Sequence, residues 1–411
     1  MPSKYNHKEM IKVAIIREEK IPVDTRTPLT PRQARKVMAD FDDVTVYCQS
    51  SEIRCYSDDE YRAEGIEVRA DVSDCDILLG VKEVKIESLI PDRTYLFFSH
   101  TIKKQPYNRE LLQKIIENKI RLVDYECLAD EKGIRVIAFG RWAGIVGTYN
   151  AFWTYGQKYK GYTLKRAYQC RDLQELHKEL AKIDLPPIKI LITGNGRVSK
   201  GGLEILKAAG IRQVDPEQYL FQQFDVPVFT QIDVDVYNKR KDGSDFSFDH
   251  FFKNPTEYKS NFKTFYKTTD VMIMAAYWDP KAPRLFELSE AKDDAFKIRV
   301  IADITCDIDG SVPTTIKATT INDPVYDYDL SSSAELPAFS DERQLSVMSI
   351  DNLPNELPRD SSESFGDQMM QFVLSDLLSS QHSRLVQDAT IAVKGKLTEK
   401  FSYLQDYLDG K

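Results

Sequence analysis

Ile190-Leu-Ile-Thr-Gly194-Asn-Gly196-Arg-Val-Ser-Lys-Gly201-Gly202 runs an apolar strand into a glycine turn and on into a helix, in the middle of the chain. Glycines in such a turn let the backbone approach a pyrophosphate, and the first N–H groups of the helix, read here as Lys200–Ala209, point at its negative charge. Ser199 stands where a third glycine is expected, so the pattern is Gly-x-Gly-x-x-Ser with Gly201 and Gly202 trailing. Any strand–helix turn of an α/β protein can use glycines this way, and the surrounding rhythm has to decide. Downstream, Val228–Ile232, Val271–Ala275 and Ile298–Ile304 recur as apolar runs at the intervals of a doubly wound sheet. The expectation is a dinucleotide site at Gly194, Gly196, Arg197 and Val198, with a whole domain upstream of it.

The run Val228-Phe-Thr-Gln-Ile-Asp233 ends in a carboxylate where a second strand presents one to the adenosine ribose hydroxyls, which makes Asp233 the expected ribose ligand. Its separation from Gly194 exceeds the usual spacing of about 20 residues, so a polar insertion around Asp215–Asp225 is needed and Asp215 is a rival. The bland reading of Asp233 is a solvated strand-end acid.

At 411 residues the chain can hold two domains, each with its own core. A net charge of −8, spread along the chain, argues against a general nucleic-acid or anionic-membrane binder; Lys239-Arg240-Lys241 is the local exception. Six cysteines form no Cys-x-x-Cys pair, and several lie in apolar strands, which fits a reducing cytoplasm. No apolar leader opens the chain, and no run of about 18 apolar residues suggests a membrane span. Among the five histidines no pair has metal-ligand spacing, so no metal is expected.

The first segment alternates strand and helix: Ile11–Ile16, a helix after Pro31, Val44–Tyr47, Ile77–Val81, Tyr95–Phe98, a helix Arg109–Asn118, then Leu122–Val123. From Arg141 to Lys158 a bulky apolar face (Trp142, Ile145, Tyr149, Phe152, Trp153) reads as a long helix, core packing more than cofactor contact, and long enough to cross between domains. Asp327–Asp341, rich in Ser, Asp and Glu, reads as an exposed connection. Leu345–Asp351 then reads as a strand, Asn352–Arg359 as a tight loop, Ser364–Leu378 as an amphipathic helix, and Thr398–Leu408 as a last helix packed on the first domain.

Two charged groups follow strands that read as buried: Lys82 after Cys75–Val81 and His100 after Thr94–Ser99. Ligands of open parallel sheets bind at the carboxyl ends of strands. A partly desolvated lysine exchanges protons nearer neutrality, and histidine does so unaided, so the two make an acid/base pair if their strands are neighbours. An ordinary solvated lysine is the plain alternative. Arg26, Lys103, Glu126 and Arg135 stand around the same edge, and Arg26 and Arg135 suit the carboxylates of a dicarboxylic or keto acid, with surface ion pairing as the alternative.

Thr94-Tyr-Leu-Phe-Phe-Ser-His-Thr-Ile-Lys-Lys-Gln105, Arg135-Val-Ile-Ala-Phe-Gly-Arg-Trp-Ala-Gly144, Gly196-Arg-Val-Ser-Lys-Gly-Gly202 and Ser349-Ile-Asp-Asn-Leu-Pro-Asn-Glu-Leu-Pro-Arg359 resemble the lysine-forming saccharopine dehydrogenases, and most of all the lysine–ketoglutarate reductase half of the bifunctional lysine-degrading enzyme. The resemblance runs over nearly the whole chain, and a more distant one, in Asp303-Ile-Thr-Cys-Asp-Ile-Asp-Gly-Ser-Val312, points to alanine dehydrogenase. It implies an α/β protein of two Rossmann-like, doubly wound parallel-sheet domains with the active site in the crevice between them. Residues 1–142 plus 346–411 would form a discontinuous substrate domain, and 143–345 the dinucleotide domain.

The same resemblance implies reversible reductive condensation of L-lysine with 2-oxoglutarate to saccharopine, by a nicotinamide hydride and without a metal. Lys82 and His100 then share the acid/base work, Arg26, Glu83, Lys103, Glu126, Arg135 and Phe139 line the substrate site, and Asp351 joins the cofactor residues. Asp233 and Glu83 follow the fungal pattern, which uses NAD; Lys239 and Arg240 are the residues that would favour NADP instead. Small molecules are the expected partners, with saccharopine passed to a separate downstream enzyme and a homo-oligomer allowed. An alanine dehydrogenase-type enzyme and a catalytically silent nucleotide-binding protein are the competing readings.

Overall fold

Residues 10–379 and 384–411 are described by the computed structural model, and the chain parts into Met1–Ala138 with Pro358–Lys411, and Phe139–Leu357. His7 and His382 lie outside the described residues.

In the first unit β1 (Ile11–Ile15), β2 (Val44–Gln49), β3 (Glu67–Arg69), β4 (Ile77–Leu79), β5 (Thr94–Phe97) and β6 (Arg121–Asp124) are parallel. The order across the sheet is β6-β5-β4-β1-β2-β3, and a late hairpin, Thr390–Val393 with Lys396–Leu397, adds antiparallel to β6. Chain order therefore reverses between β1 and β4, the topological switch of a doubly wound sheet. β4 is buried along its length, because helices cover both faces and only a continuous apolar run fits there, whereas β2 alternates buried and half-buried residues.

The helix Pro31–Asp40 starts at a capping box: Gln33 N donates to Thr30 Oγ1 at 3.4 Å, and Thr30 N donates back to Gln33 Oε1 at 2.9 Å. The Gln33 amide then reaches Glu363 O at 2.7 Å and Asp367 Oδ1 at 2.8 Å, which fastens the returning helix Pro358–Phe372 to this unit. The final segment is a 3₁₀ turn, Glu399–Leu404, running into a short helix, Gln405–Leu408, with Phe401, Leu404 and Tyr407 packed in the core with Leu111 and Ile115.

The second unit carries β7 (Lys189–Thr193), β8 (Arg212–Gln213), β9 (Val228–Ile232), a separate ribbon of β10 (Asn238–Arg240) and β11 (Tyr258–Ser260), then β12 (Val271–Met274), β13 (Val300–Asp303), β14 (Val325–Asp329), β15 (Ala334–Leu336) and β16 (Leu345–Met348). Its sheet order is β15-β14-β16-β13-β12-β7-β9-β8, with the switch between β7 and β12. The long helix is Gly140–Tyr159 and belongs wholly to this unit. The return to the first unit comes only at Pro358, later than residue 346, because β16 is still a strand of this sheet, paired with β13 and β14.

The segment Asp327–Asp341 is exposed over residues 331–335, as expected, but it is strand at its start and in β15 rather than a plain connection. It forms most of β14 and all of β15, which pair antiparallel to each other. Asp327 is buried, accepting from Ser340 N at 2.7 Å, Ser340 Oγ at 3.0 Å and Ser346 Oγ at 2.6 Å. The Ser/Asp composition that suggests solvent supplies an internal hydrogen-bond set instead, which burial demands of a polar group.

Gly140–Tyr159 packs on the helix Arg197–Ala208 through glycines on both. A Cβ on Gly144 would lie 1.8 Å from Val198 O, and one on Gly201 2.0 Å from Arg141 O. We expect Gly144→Ala to cost about 1–3 kcal/mol or more, the toll of overpacking a rigid contact, and Gly196→Ala far less, since nothing lies within 4 Å of a Cβ there. Chemical denaturation measures both, and a Gly144→Ala chain as stable as the parent would mean that the helices do not meet through this glycine.

Candidate active site

β4 and β5 are adjacent, so Lys82 and His100 leave neighbouring parallel strands at the same edge. The pairing continues past the strands proper, with Gly80 N donating to Leu96 O at 2.9 Å and Phe98 N to Val81 O at 3.0 Å. Lys82 is half-buried; burial first, then the Arg26 charge, pushes its pKa below the ordinary lysine value. Among the described residues its ammonium has no ion-pair partner.

Glu83 and His100 form a direct pair, Nδ1 to Oε1 at 2.5 Å, and the other Glu83 oxygen accepts from Lys20 Nζ at 2.6 Å. Burial favours the protonated acid, but the His100 and Lys20 bonds and the His100 charge outweigh it and hold the Glu83 carboxyl down at about 2. His100 itself sits in the left-handed region at φ 53, a conformation that a non-glycine residue adopts when its surroundings fix it. Buried Asp124 does part of this fixing: it accepts from Ser99 N at 3.1 Å, from Ser99 Oγ, and from Glu126 N at 2.7 Å. Its burial raises its carboxyl to about 6.

Glu126 receives Lys103 Nζ and Arg135 Nη2, each 3.6 Å from Oε1, while its Oε2 is buried without a hydrogen-bond partner. Lys103 and Arg135 are exposed. Arg26 is buried and gripped by Asp24, Nε to Oδ1 at 3.0 Å and Nη2 to Oδ2 at 2.5 Å. Lys82, Glu83, His100, Lys103, Glu126, Arg135 and Arg26 thus all belong to the carboxyl edge of the first unit's sheet.

The other expected residues belong to the second unit. Gly194 turns at φ +85 and packs on Ala276, where a Cβ would meet the Ala276 backbone at 2.9 Å. Gly196 caps the helix, which begins at Arg197, three residues earlier than expected, so the first turn's N–H groups are those of Arg197, Val198 and Ser199. Asp233 follows β9 beside this turn and caps the short helix Val234–Tyr237, accepting from Val234 N at 2.8 Å; Gly194 N donates to Ile232 O at 2.8 Å, and Gln231 Nε2 to Gly194 O at 2.8 Å. The rival Asp215 caps a short helix, Pro216–Phe221, next to the edge strand β8. Phe139 is half-buried at the head of Gly140–Tyr159, and Asp351 is exposed after β16, three strands from β7. A small apolar hollow of about 50 Å³ lined by Val234, Tyr237, Phe251, Met274, Tyr277 and Trp278 opens past the ends of β9 and β12.

Lys20, Asp24, Asp124 and Glu18 escaped the sequence reading. Asp124 does end a strand, β6, which was the available signal; nothing in spacing distinguishes Glu18, Lys20 or Asp24, all in the loop after β1, from surface charge. Among the described residues no cluster of three or more His, Cys, Asp or Glu is placed to hold a metal, and no helix is long and apolar enough to cross a membrane.

The Glu83 pair has a pH signature. The unfolded carboxyl takes a proton near 4.5 and the folded one only near 2, so between these values the folded chain binds fewer protons and loses stability as the pH falls. The contribution is complete above about 4.5. Glu83→Gln is expected to flatten this acid-side decline in urea unfolding; an identical slope would place no such charge in the fold.

Residues 15–146 match the alanine dehydrogenase/PNT N-terminal domain. The mitochondrial alpha-aminoadipic semialdehyde synthase of Bos taurus is 32% identical over 97% of this chain and 48% of its own length, and the alpha-aminoadipic semialdehyde synthase of Arabidopsis thaliana 29% over 95% and 41%. The chain spans about half the length of these relatives or less. The saccharopine dehydrogenase (NAD(+), L-lysine-forming) of Emericella nidulans is 26% identical over 87% of this chain and 90% of its own. By fold, an L-alanine dehydrogenase matches at a TM-score of 0.65 with 14% identity, covering 97% of this chain and 99% of its own, and the Sinorhizobium meliloti transhydrogenase at 0.60 with 13%, covering 94% and 100%. These likenesses support the family read from the sequence, that of the saccharopine dehydrogenases and aminoadipic semialdehyde synthases, with the α/β fold of alanine dehydrogenase.

Proposed function

We propose that the chain catalyses the reversible reductive condensation of L-lysine with 2-oxoglutarate to saccharopine, with NAD as the preferred hydride carrier. The observation that carries this reading is Lys82, a half-buried lysine at a strand end with a lowered pKa and no ion-pair partner among the described residues, beside a braced Glu83–His100 pair. The substrate amine must be neutral to attack the keto carbon, and the carbinolamine must then lose water. Lys82 and His100 divide that proton traffic. Glu83 fixes which imidazole nitrogen faces it, through Nδ1, leaving Nε2 for exchange. Exposed Lys103 and Arg135, loosely held by Glu126, are offered to substrate carboxylates.

The second unit's residues fit a dinucleotide. Gly196 has open space where a Cβ would sit, and the helix behind it presents its first N–H groups there. Asp233 would take the ribose hydroxyls and repel a 2′-phosphate. When bound, the nicotinamide supplies or accepts the hydride.

The test follows nicotinamide absorbance with L-lysine and 2-oxoglutarate, with NADH and NADPH in parallel and ammonia plus pyruvate as control. Oxidation with the lysine pair alone, faster with NADH, is expected; oxidation with ammonia and pyruvate would favour an alanine dehydrogenase, and no oxidation despite bound cofactor a binding protein. Lys82→Met is expected to keep cofactor affinity while cutting turnover by about two to four orders of magnitude.

A further inference from the structure

Glu18 follows β1 and Lys82 follows β4, so the two stand on either side of the point where chain order reverses in the first sheet. The ladder between these strands ends with Ile16 N donating to Leu79 O at 3.0 Å. Beyond it β1's chain leaves, and the next amides of the β4 side need another acceptor, since a buried N–H left unpaired is costly. The Glu18 carboxyl takes their place: Oε1 accepts from Val81 N at 2.6 Å and Oε2 from Lys82 N at 2.9 Å. Glu18 is only 8% exposed. Gly80 leaves room for it, since a Cβ there would already lie 3.1 Å from Ile16 Cδ1 and 3.5 Å from Glu18 Oε1.

We propose that Glu18 is the positioning residue of Lys82: by holding the amides of Val81 and Lys82 with one carboxyl group it sets the direction in which the lysine leaves the sheet, and so directs its ammonium to the half-buried corner where it exchanges protons. The proposal rests on the reading of Lys82 as a proton carrier. Holding the Val81 and Lys82 amides fixes the backbone at Lys82, and with it the direction of the Cα–Cβ bond from which the lysine side chain starts. Displacements on the order of 1 Å at such a group cost up to about a hundredfold in rate. The charged groups that bear on Lys82 are Asp24, Arg26 and Lys20 from the segment after β1, and Glu83 on its own. Glu18 in turn faces Asp24, Arg26 and, from the turn after β6, Tyr125.

Lys82 is read directly by its acylation with dilute acetic anhydride across the neutral to alkaline range, quantified on the Lys82 peptide by mass spectrometry in the full chain. In Glu18→Ala, and to a lesser degree in the nearly isosteric Glu18→Gln, its labelling midpoint is expected to rise toward that of an ordinary lysine. Alongside, kcat falls about 10- to 100-fold with KM little changed. A folded Glu18→Gln chain with both the midpoint and kcat of the parent overturns the proposal, whether or not Glu18→Ala folds. Labelling needs no turnover, so a protein that rejects lysine and 2-oxoglutarate but whose Lys82 midpoint moves still supports the role of Glu18 while the proposed function fails.

Discussion

A strand covered on both faces can carry a charge only where it ends, and that constraint organises the first unit. β4 is apolar and buried throughout, and β5 and β6 are buried toward their carboxyl ends. The first place either chain can afford an ionisable side chain is the turn beyond. Because the strands are parallel, those turns share one edge, and residues far apart in sequence become neighbours without any helix or loop being specially shaped for them. Lys82, His100 and Glu126 are consequences of this arrangement.

Once charges are gathered at a half-dry edge, their mutual pairing sorts them. Arg26 and Asp24 satisfy each other in a buried fork, and Glu83 is shared by His100 and Lys20. Such pairs are expensive to break and contribute little to chemistry on their own, because the partner already fills the geometry a ligand would use. Lys82 differs. Surrounded by the fields of Arg26, Asp24, Lys20 and Glu83 but bonded to none of them, it has a proton that is both destabilised and unclaimed. That is the condition a proton carrier requires, and it arises from what its neighbours have already spent on one another.

Much of this was legible in the sequence. Apolar runs fixed most strands to within a residue or two, since central parallel strands tolerate little else, and the strand-end rule picked out Lys82, His100 and Glu126. Two kinds of feature were not legible. Asp327–Asp341 looked like a solvated connection throughout because composition reports polarity without reporting partners; Asp327 and Ser346 are polar and buried at once. Glu18, Lys20 and Asp124 were hidden for the same reason, each being an ordinary charged residue until its acceptor or donor is known. The pairing of Gln33 with Glu363 and Asp367 likewise joins positions whose separation along the chain carries no periodic signal.

The glycine turn shows how a pattern can be right for fewer reasons than it offers. Of its four glycines, Gly201 and Gly202 are required by packing: a Cβ on either would drive into Arg141 O, or into Ile192 and Thr148. Gly194 is required by its backbone, at φ +85, and by the close approach of Ala276. These three would be needed in a strand–helix unit that never met a nucleotide. Gly196 alone has an ordinary φ of −83 and empty space around its missing Cβ, so nothing within the chain demands glycine there. Glycine there leaves the backbone open at the head of a helix whose N–H groups face the same way, a position that favours an anionic group such as the pyrophosphate of the proposed dinucleotide.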